Sequence, residues 1–217
     1  MEDLKGYSRE QLTIDLVRAN VVGLLSIIPI TLLFGLPYYL IWKEQFTINK
    51  LRDFLEGFSS AVVGSGAVAI FVVMIGGIVV HELIHGITWA RYTKKGFRSI
   101  KFGILWKMLT PYCHCKEPLR LREYVTGAMA PGIVVGILPA IIAIIIGSVP
   151  LLLFGIFFTM AASGDVMIIN LLRNEKRDDL VLDHPSEAGC YIYRKTEDET
   201  SAGTGEENSL VNSVSRI

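Results

Sequence analysis

Residues Phe71–Ala90 read FVVMIGGIVVHELIHGITWA, ten apolar or small residues followed directly by two histidines and a glutamate. The uncharged run that ends at Val80 begins back at Phe58. As a helix rising ~1.5 Å per residue, it is long enough to cross roughly 30 Å of hydrocarbon. Ionisable side chains at the end of such a span are costly unless they are paired or hold a metal. His81, Glu82 and His85 form H-E-x-x-H, and helical residues four apart are rotated by only about 40°, so both imidazoles leave one face. Two nitrogens can then reach one ion. Glu82, about a third of a turn away, can serve water as a general base without ligating the metal.

The rest of the chain fits the same solvent. Of 217 residues, 51% are hydrophobic, the formal net charge is zero and the mean hydropathy is +0.45, too apolar for a soluble domain of this size. Further runs without charge extend from Ala19 to Trp42, from Val125 to about Gly147 and, with one aspartate excepted, from Ser148 to Leu172. These predict an all-α integral membrane protein of about four transmembrane helices, 19–42, 58–92, 125–147 and 149–172. The first run is too long for a signal-peptide core and has no small-x-small cleavage site after it, so it is expected to stay, bent at Pro29 and Pro37.

Lys and Arg are dense between the second and third spans, from Arg91 to Arg122, and sparse after the first, where only Lys43, Lys50 and Arg52 occur. The long basic loop, 93–124, is therefore assigned to the cytoplasm. A multi-pass protein of the cell membrane with both termini cytoplasmic follows: 1–18 before the first span, a short ordered piece 173–195, and a Glu/Ser/Gly-rich tail 196–217 expected to be disordered. Cys113, Cys115 and Cys190 all fall on that reducing side, so buried thiols are expected rather than disulfides. The basic loop is explained by topology, and no nucleic-acid partner is implied.

A catalytic zinc usually takes three protein ligands. Among the four apolar runs, the one further carboxylate, histidine or cysteine is Asp165, in AASGDVMIIN. An aspartate in the membrane calls for a partner, and an ion held by His81 and His85 is the partner assigned here. Depth agrees to ~8 Å if the second helix starts near Ala61, and more closely if it starts after Gly64–Gly66.

Within the basic loop, SIKFGILWK and TPYCHCK read as a small hairpin. Its edge is a candidate clamp for an unwound substrate segment. Cys113, His114 and Cys115 leave a second metal site open, with His184 or Cys190 as further ligands, although alternation along a strand turns only the two cysteines to one face.

These residues resemble a known group. VVHELIHG late in a membrane helix, KFGILWKMLTPYCHCKEPLRLREY leading into MAPGIVVGILP, and SGDVMIINLL in the last helix resemble the zincin peptidases, small bacterial multi-pass proteins distantly similar to site-2 proteases. The resemblance covers roughly Gly76–Tyr193. It implies that Asp165 completes the zinc site. The chain reads TMAASGDVM, without the asparagine and prolines of the site-2 protease context, so the oxyanion donor stays open among Ser163, Thr159 and Asn170. The expectation is a membrane-embedded zinc metalloendopeptidase acting on membrane or juxtamembrane peptides, with Glu82 catalytic and His81, His85 and Asp165 on Zn2+. The alternative is a non-catalytic metal-binding scaffold or transport accessory. Retention of Glu82 beside the ligands favours the enzyme. Oligomeric state is not readable from the sequence.

Overall fold

The computed structural model describes residues 6–63, 65–105, 110–185 and 187–196. The tail expected to be disordered lies outside the described residues from 197 onward, as do residues 1–5 and 106–109.

Four segments are long and apolar enough to cross a membrane: Val17–Phe46, Gly66–Ala90, Leu121–Ile146 and Val149–Leu171. The first comprises α1 (Leu16–Leu25), α2 (Ile27–Trp42) and a 3-10 turn, Lys43–Phe46. Asp15 caps α1, its carboxylate accepting the Arg18 amide at 2.8 Å. The expected bend comes as an interruption at Ser26, because Pro29 has no N–H to give the Leu25 carbonyl. Over the second expected span, 58–92, the described residues fall into two helices on either side of position 64. An amphipathic α3 (Ile48–Val63) precedes α4 (Ser65–Ala90), which carries the H-E-x-x-H residues.

The third segment joins α5 (Leu121–Pro131) to α6 (Leu138–Ile146) through a π-helical stretch, Gly132–Ile137, and Gly147, at φ 73°, turns the chain into α7 (Val149–Ala161) and α8 (Ser163–Leu171). Small residues let these helices approach: a Cβ on Gly155 would lie 2.5 Å from the Ala140 backbone nitrogen. Phe34 and Tyr38 of α2 pack there with Ala140, Ala143, Leu152 and Ile156 into one apolar cluster. The outward faces of these helices and of α4, with Leu32, Leu36, Ile145 and Val72, are apolar and exposed.

The β content exceeds the expected hairpin. That hairpin is present as β2 (Ile100–Leu105) antiparallel to β3 (Thr110–Cys115), with Phe102 opposite Cys113. A separate antiparallel sheet has the order β1-β6-β5-β4, built from Tyr7–Thr13, Gly189–Lys195, Leu180–Asp183 and Leu119–Arg120. Its outer strand β1 comes from the segment before the first span and pairs with β6 from Tyr7 opposite Lys195 to Thr13 opposite Gly189. Arg194 fastens that pairing, donating to Glu10 at 2.6 Å and to both Glu175 oxygens at 2.7 Å. A second apolar cluster, including Trp89, Leu119, Tyr124, Leu172, Val181 and Ile192, welds this sheet to the ends of α4, α5 and α8. Cys115 and Cys190 are buried in it as free thiols, each pushed up to about 12 by burial.

Candidate metal centre

His81 and His85 leave one face of α4 as the spacing requires, and α8 brings Asp165 between them. His81 Nε2 lies 3.3 Å from Asp165 Oδ2, and His85 Nε2 lies 3.3 Å from Oδ1. Among the described residues this is the group of three metal-competent side chains that comes together, each offering a ligand atom within 4.8 Å of the others. The depth mismatch disappears because α4 begins at Ser65 and α7 at Val149, which puts His81 and Asp165 each sixteen residues past a helix start. No such group forms around Cys113, His114 and Cys115 among the described residues.

The tautomer of His85 is set from behind. Pro131 has no N–H to donate to the carbonyl four residues back, which is that of Gly127. That freed carbonyl accepts from His85 Nδ1 at 2.9 Å. A neutral His85 that donates through Nδ1 presents an Nε2 lone pair to a carboxylate oxygen. Two acceptors facing each other in a buried site are satisfied by a positive charge between them, a proton or a metal ion. His81 and His85 are both buried, and His81 Nδ1 is a buried atom with no hydrogen-bond partner among the described residues. Two imidazole nitrogens and a carboxylate form a donor set that suits zinc, so these residues can hold the ion the sequence calls for.

An aromatic stack supports the histidine. The His85 ring lies parallel to Trp89 at 5.0 Å, and Trp89 lies parallel to Tyr124 at 5.3 Å. Trp89 Nε1 donates to the Tyr124 carbonyl at 3.0 Å. Gly127 allows this approach, since a Cβ there would fall 2.1 Å from Trp89 Nε1. The Tyr124 hydroxyl then donates to Asp183 Oδ1 at 2.6 Å, and Asp183 Oδ2 accepts the Cys115 amide at 2.7 Å. Burial holds the Asp183 carboxyl above the usual aspartate range despite both donors.

The ligands open onto a cavity of about 540 Å³ whose lining includes Asn20, Glu82, Tyr112, Ser163, Asp165 and His184. Glu82 therefore faces the same space as the ligand set, and the Cys113 backbone N–H donates to its carboxylate. The ladder makes this orientation plain: Lys116 donates to Ser99 on the β2 side, while Cys115 donates away from it to Asp183. By alternation Cys113 also points its N–H and C=O away from β2, toward the cavity. His114, on the opposite phase, is partly buried, which depresses its basicity.

Of the three oxyanion candidates, the Thr159 hydroxyl is spent on the Gly155 carbonyl at 2.8 Å, and Asn170, whose Oδ1 accepts from Arg173 at 3.3 Å, is not among the described residues that line the cavity. Ser163 lines the cavity, joined by Asn20 of α1, which the sequence reading missed. Gly127, Trp89 and Asp183 were also missed. The Gly-x-x-x-Pro spacing of Gly127 and Pro131, one helical turn apart, was the available signal for the freed carbonyl.

Searches of curated proteins and of solved structures gave no match. The family model described as "Putative zincin peptidase" matches residues 74–180, from α4 ahead of the first histidine to the first residue of β5. Through that stretch, which holds both histidines, Glu82 and Asp165, the chain matches the family so described.

Proposed function

We propose that this protein is a membrane-embedded, zinc-dependent metalloendopeptidase that cleaves peptide bonds of membrane or juxtamembrane substrates. The observation that carries the proposal is the approach of both histidine Nε2 atoms to separate oxygens of one carboxylate, with Glu82 facing the same cavity. His81, His85 and Asp165 would hold the ion. Zinc, when bound, supplies Lewis acidity that polarises a carbonyl and acidifies water. Glu82 accepts the proton of the attacking water and delivers it to the amide nitrogen as the C–N bond breaks. Gly127 fixes His85 through Nδ1, so that its Nε2 stays aimed at the ion. Cys113 steadies Glu82 on the cavity wall. The Cys113 carbonyl of β3, directed away from β2, offers an acceptor to an extended segment, which favours a substrate unwound before cleavage.

The test compares native protein with Glu82→Gln and Asp165→Ala, purified in detergent, for zinc content and for cleavage of an unstructured fluorogenic peptide. Catalysis requires that Glu82→Gln keep near-native zinc and lose turnover by about 10²–10⁴-fold. Asp165→Ala should lose both. A native protein that binds no zinc would end this reading, and a Glu82→Gln protein with native turnover would end the assignment of the base.

A further inference from the structure

From the helix between the first two spans, we infer that α3 lies in the plane of the membrane surface opposite the metal centre, with the bilayer interface itself as its partner. The inference rests on the reading of the apolar segments as membrane spans. Ile48, Leu51, Leu55 and Phe58 recur at helical spacing, with Phe54 beside them, and form one apolar face. All five are 39–72% exposed, and no described side chain from Ile48 to Ser60 is buried. Among the described residues, nothing buries this face.

Position says what does. The chain enters α3 from Phe46, the end of the first span, and leaves it for Gly66, the start of the second. Both ends of α3 are therefore held at one membrane surface. The approach to α3 carries two exposed aromatic residues, Tyr39 and Phe46, whose rings meet edge-on at 5.3 Å. Such residues mark the level of the headgroups. Lys50, Arg52, Asp53 and Glu56 occupy the other side of α3 and balance in charge. Apolar insertion, not attraction to anionic lipid, should then hold it, since its polar face has no excess positive charge.

The consequence reaches the metal centre. With α3 at the surface, His81 and His85 lie sixteen and twenty residues along α4 from Ser65. At ~1.5 Å per residue that is ~24 and ~30 Å down, which places the ligands near the far edge of a hydrocarbon layer roughly 30 Å thick. The in-plane helix works as a float that sets the depth of the site.

The experiment places single tryptophans at Leu51→Trp and Phe58→Trp on the apolar face, Ser60→Trp on the polar face and Val72→Trp on the outward face of α4. The full chain is reconstituted in phosphatidylcholine vesicles carrying bromine either near the headgroup or near the chain end, and the signal of the native tryptophans is subtracted. The expected result is at least twofold stronger quenching of L51W and F58W by headgroup-proximal bromine than by chain-end bromine, little quenching of S60W, and deep quenching of V72W. Adding phosphatidylglycerol should leave the pattern unchanged. If V72W is deeply quenched while L51W and F58W are not quenched, or are quenched no more than S60W, the inference about α3 fails alone. Chain-end quenching of all four would make α3 a buried span and overturn it as well. If V72W is not quenched, the membrane reading fails and takes this inference with it. A pattern that appears only with phosphatidylglycerol would overturn the apolar-insertion argument.

Discussion

Gly127→Ala is the substitution that tests most directly how the protein holds its metal. A methyl group at 127 would sit 2.1 Å from Trp89 Nε1, 2.2 Å from Cδ1 and 2.8 Å from Cε2. The indole has nowhere to go: Trp89 is 4% exposed, stacked between His85 and Tyr124, and bonded to the Tyr124 carbonyl. Relieving the overlap by shifting packed groups costs about 1–3 kcal/mol, and losing the indole hydrogen bond adds about 1 kcal/mol. The same movement disturbs His85 on both sides, since Trp89 stacks on its ring and Gly127 accepts its Nδ1–H. Loss of an outer-shell partner typically weakens metal binding 10–100-fold, or about 1.4–2.8 kcal/mol. Zinc affinity, read by competition with a chromophoric chelator, should fall by that factor, and unfolding in denaturant should move by about 2–4 kcal/mol. Gly76→Ala, whose Cβ meets nothing within 4 Å, is the control and should behave as native. Combining Gly127→Ala with Trp89→Leu makes room for the methyl, so the pair should be less damaging than the sum of its parts by roughly 1 kcal/mol or more. A Gly127→Ala protein with zinc affinity within twofold of native would refute the reasoning.

Other outcomes follow from the same structure. Chelator treatment should lower thermal stability, because zinc held at a hundred times its Kd contributes about 2.7 kcal/mol; an unchanged melting curve in zinc-loaded and stripped protein would contradict a site formed by three separate ligands. Asp183→Ala strands the Cys115 amide and the Tyr124 hydroxyl and should cost about 1–3 kcal/mol for each donor, measured by denaturant unfolding, with Asp183→Asn much milder. Because burial raises the Asp183 carboxyl, its contribution is full below the ordinary value of 3.8 and is lost as pH rises through the higher folded value. Stability of the native protein relative to Asp183→Asn should therefore decline across that window, and parallel pH profiles would count against it. Arg194→Ala should loosen β1 without removing zinc, seen as faster amide exchange over Tyr7–Thr13.

What could be read from the sequence was what declares itself locally. Apolar length marks a span without knowledge of its neighbours, so four segments emerged from composition, and the i, i+4 histidines needed only helical geometry. Asp165 was found because a charge inside an apolar run is conspicuous. Asp183, equally important to the packing behind the site, stands among other charged residues where one more carboxylate carries no signal. The second span was placed too early because Phe58–Val80 has no charge, although the apolar face of α3 repeats at helical spacing through Ile48, Leu51 and Leu55 before that run begins. Strand β1 was invisible for a different reason. YSREQLT has little apolar alternation, and its partner lies at the far end of the chain, so only the pairing reveals it.

That pairing also sets a clock. Strand β1 is made first and its partner β6 last among the described elements, with the four apolar segments between them. At synthesis rates of about 5–20 residues per second, the first strand waits on the order of ten to thirty seconds for the residues it must join. During that interval the wall of the cavity formed by Asp183, Pro185, Glu187, Ala188 and Gly189 is not yet complete, while His81, Glu82 and His85 have already been made. The histidines and the glutamate enter the nascent chain early, but the chamber around them closes only when the C-terminal strand arrives to clasp the N-terminal one.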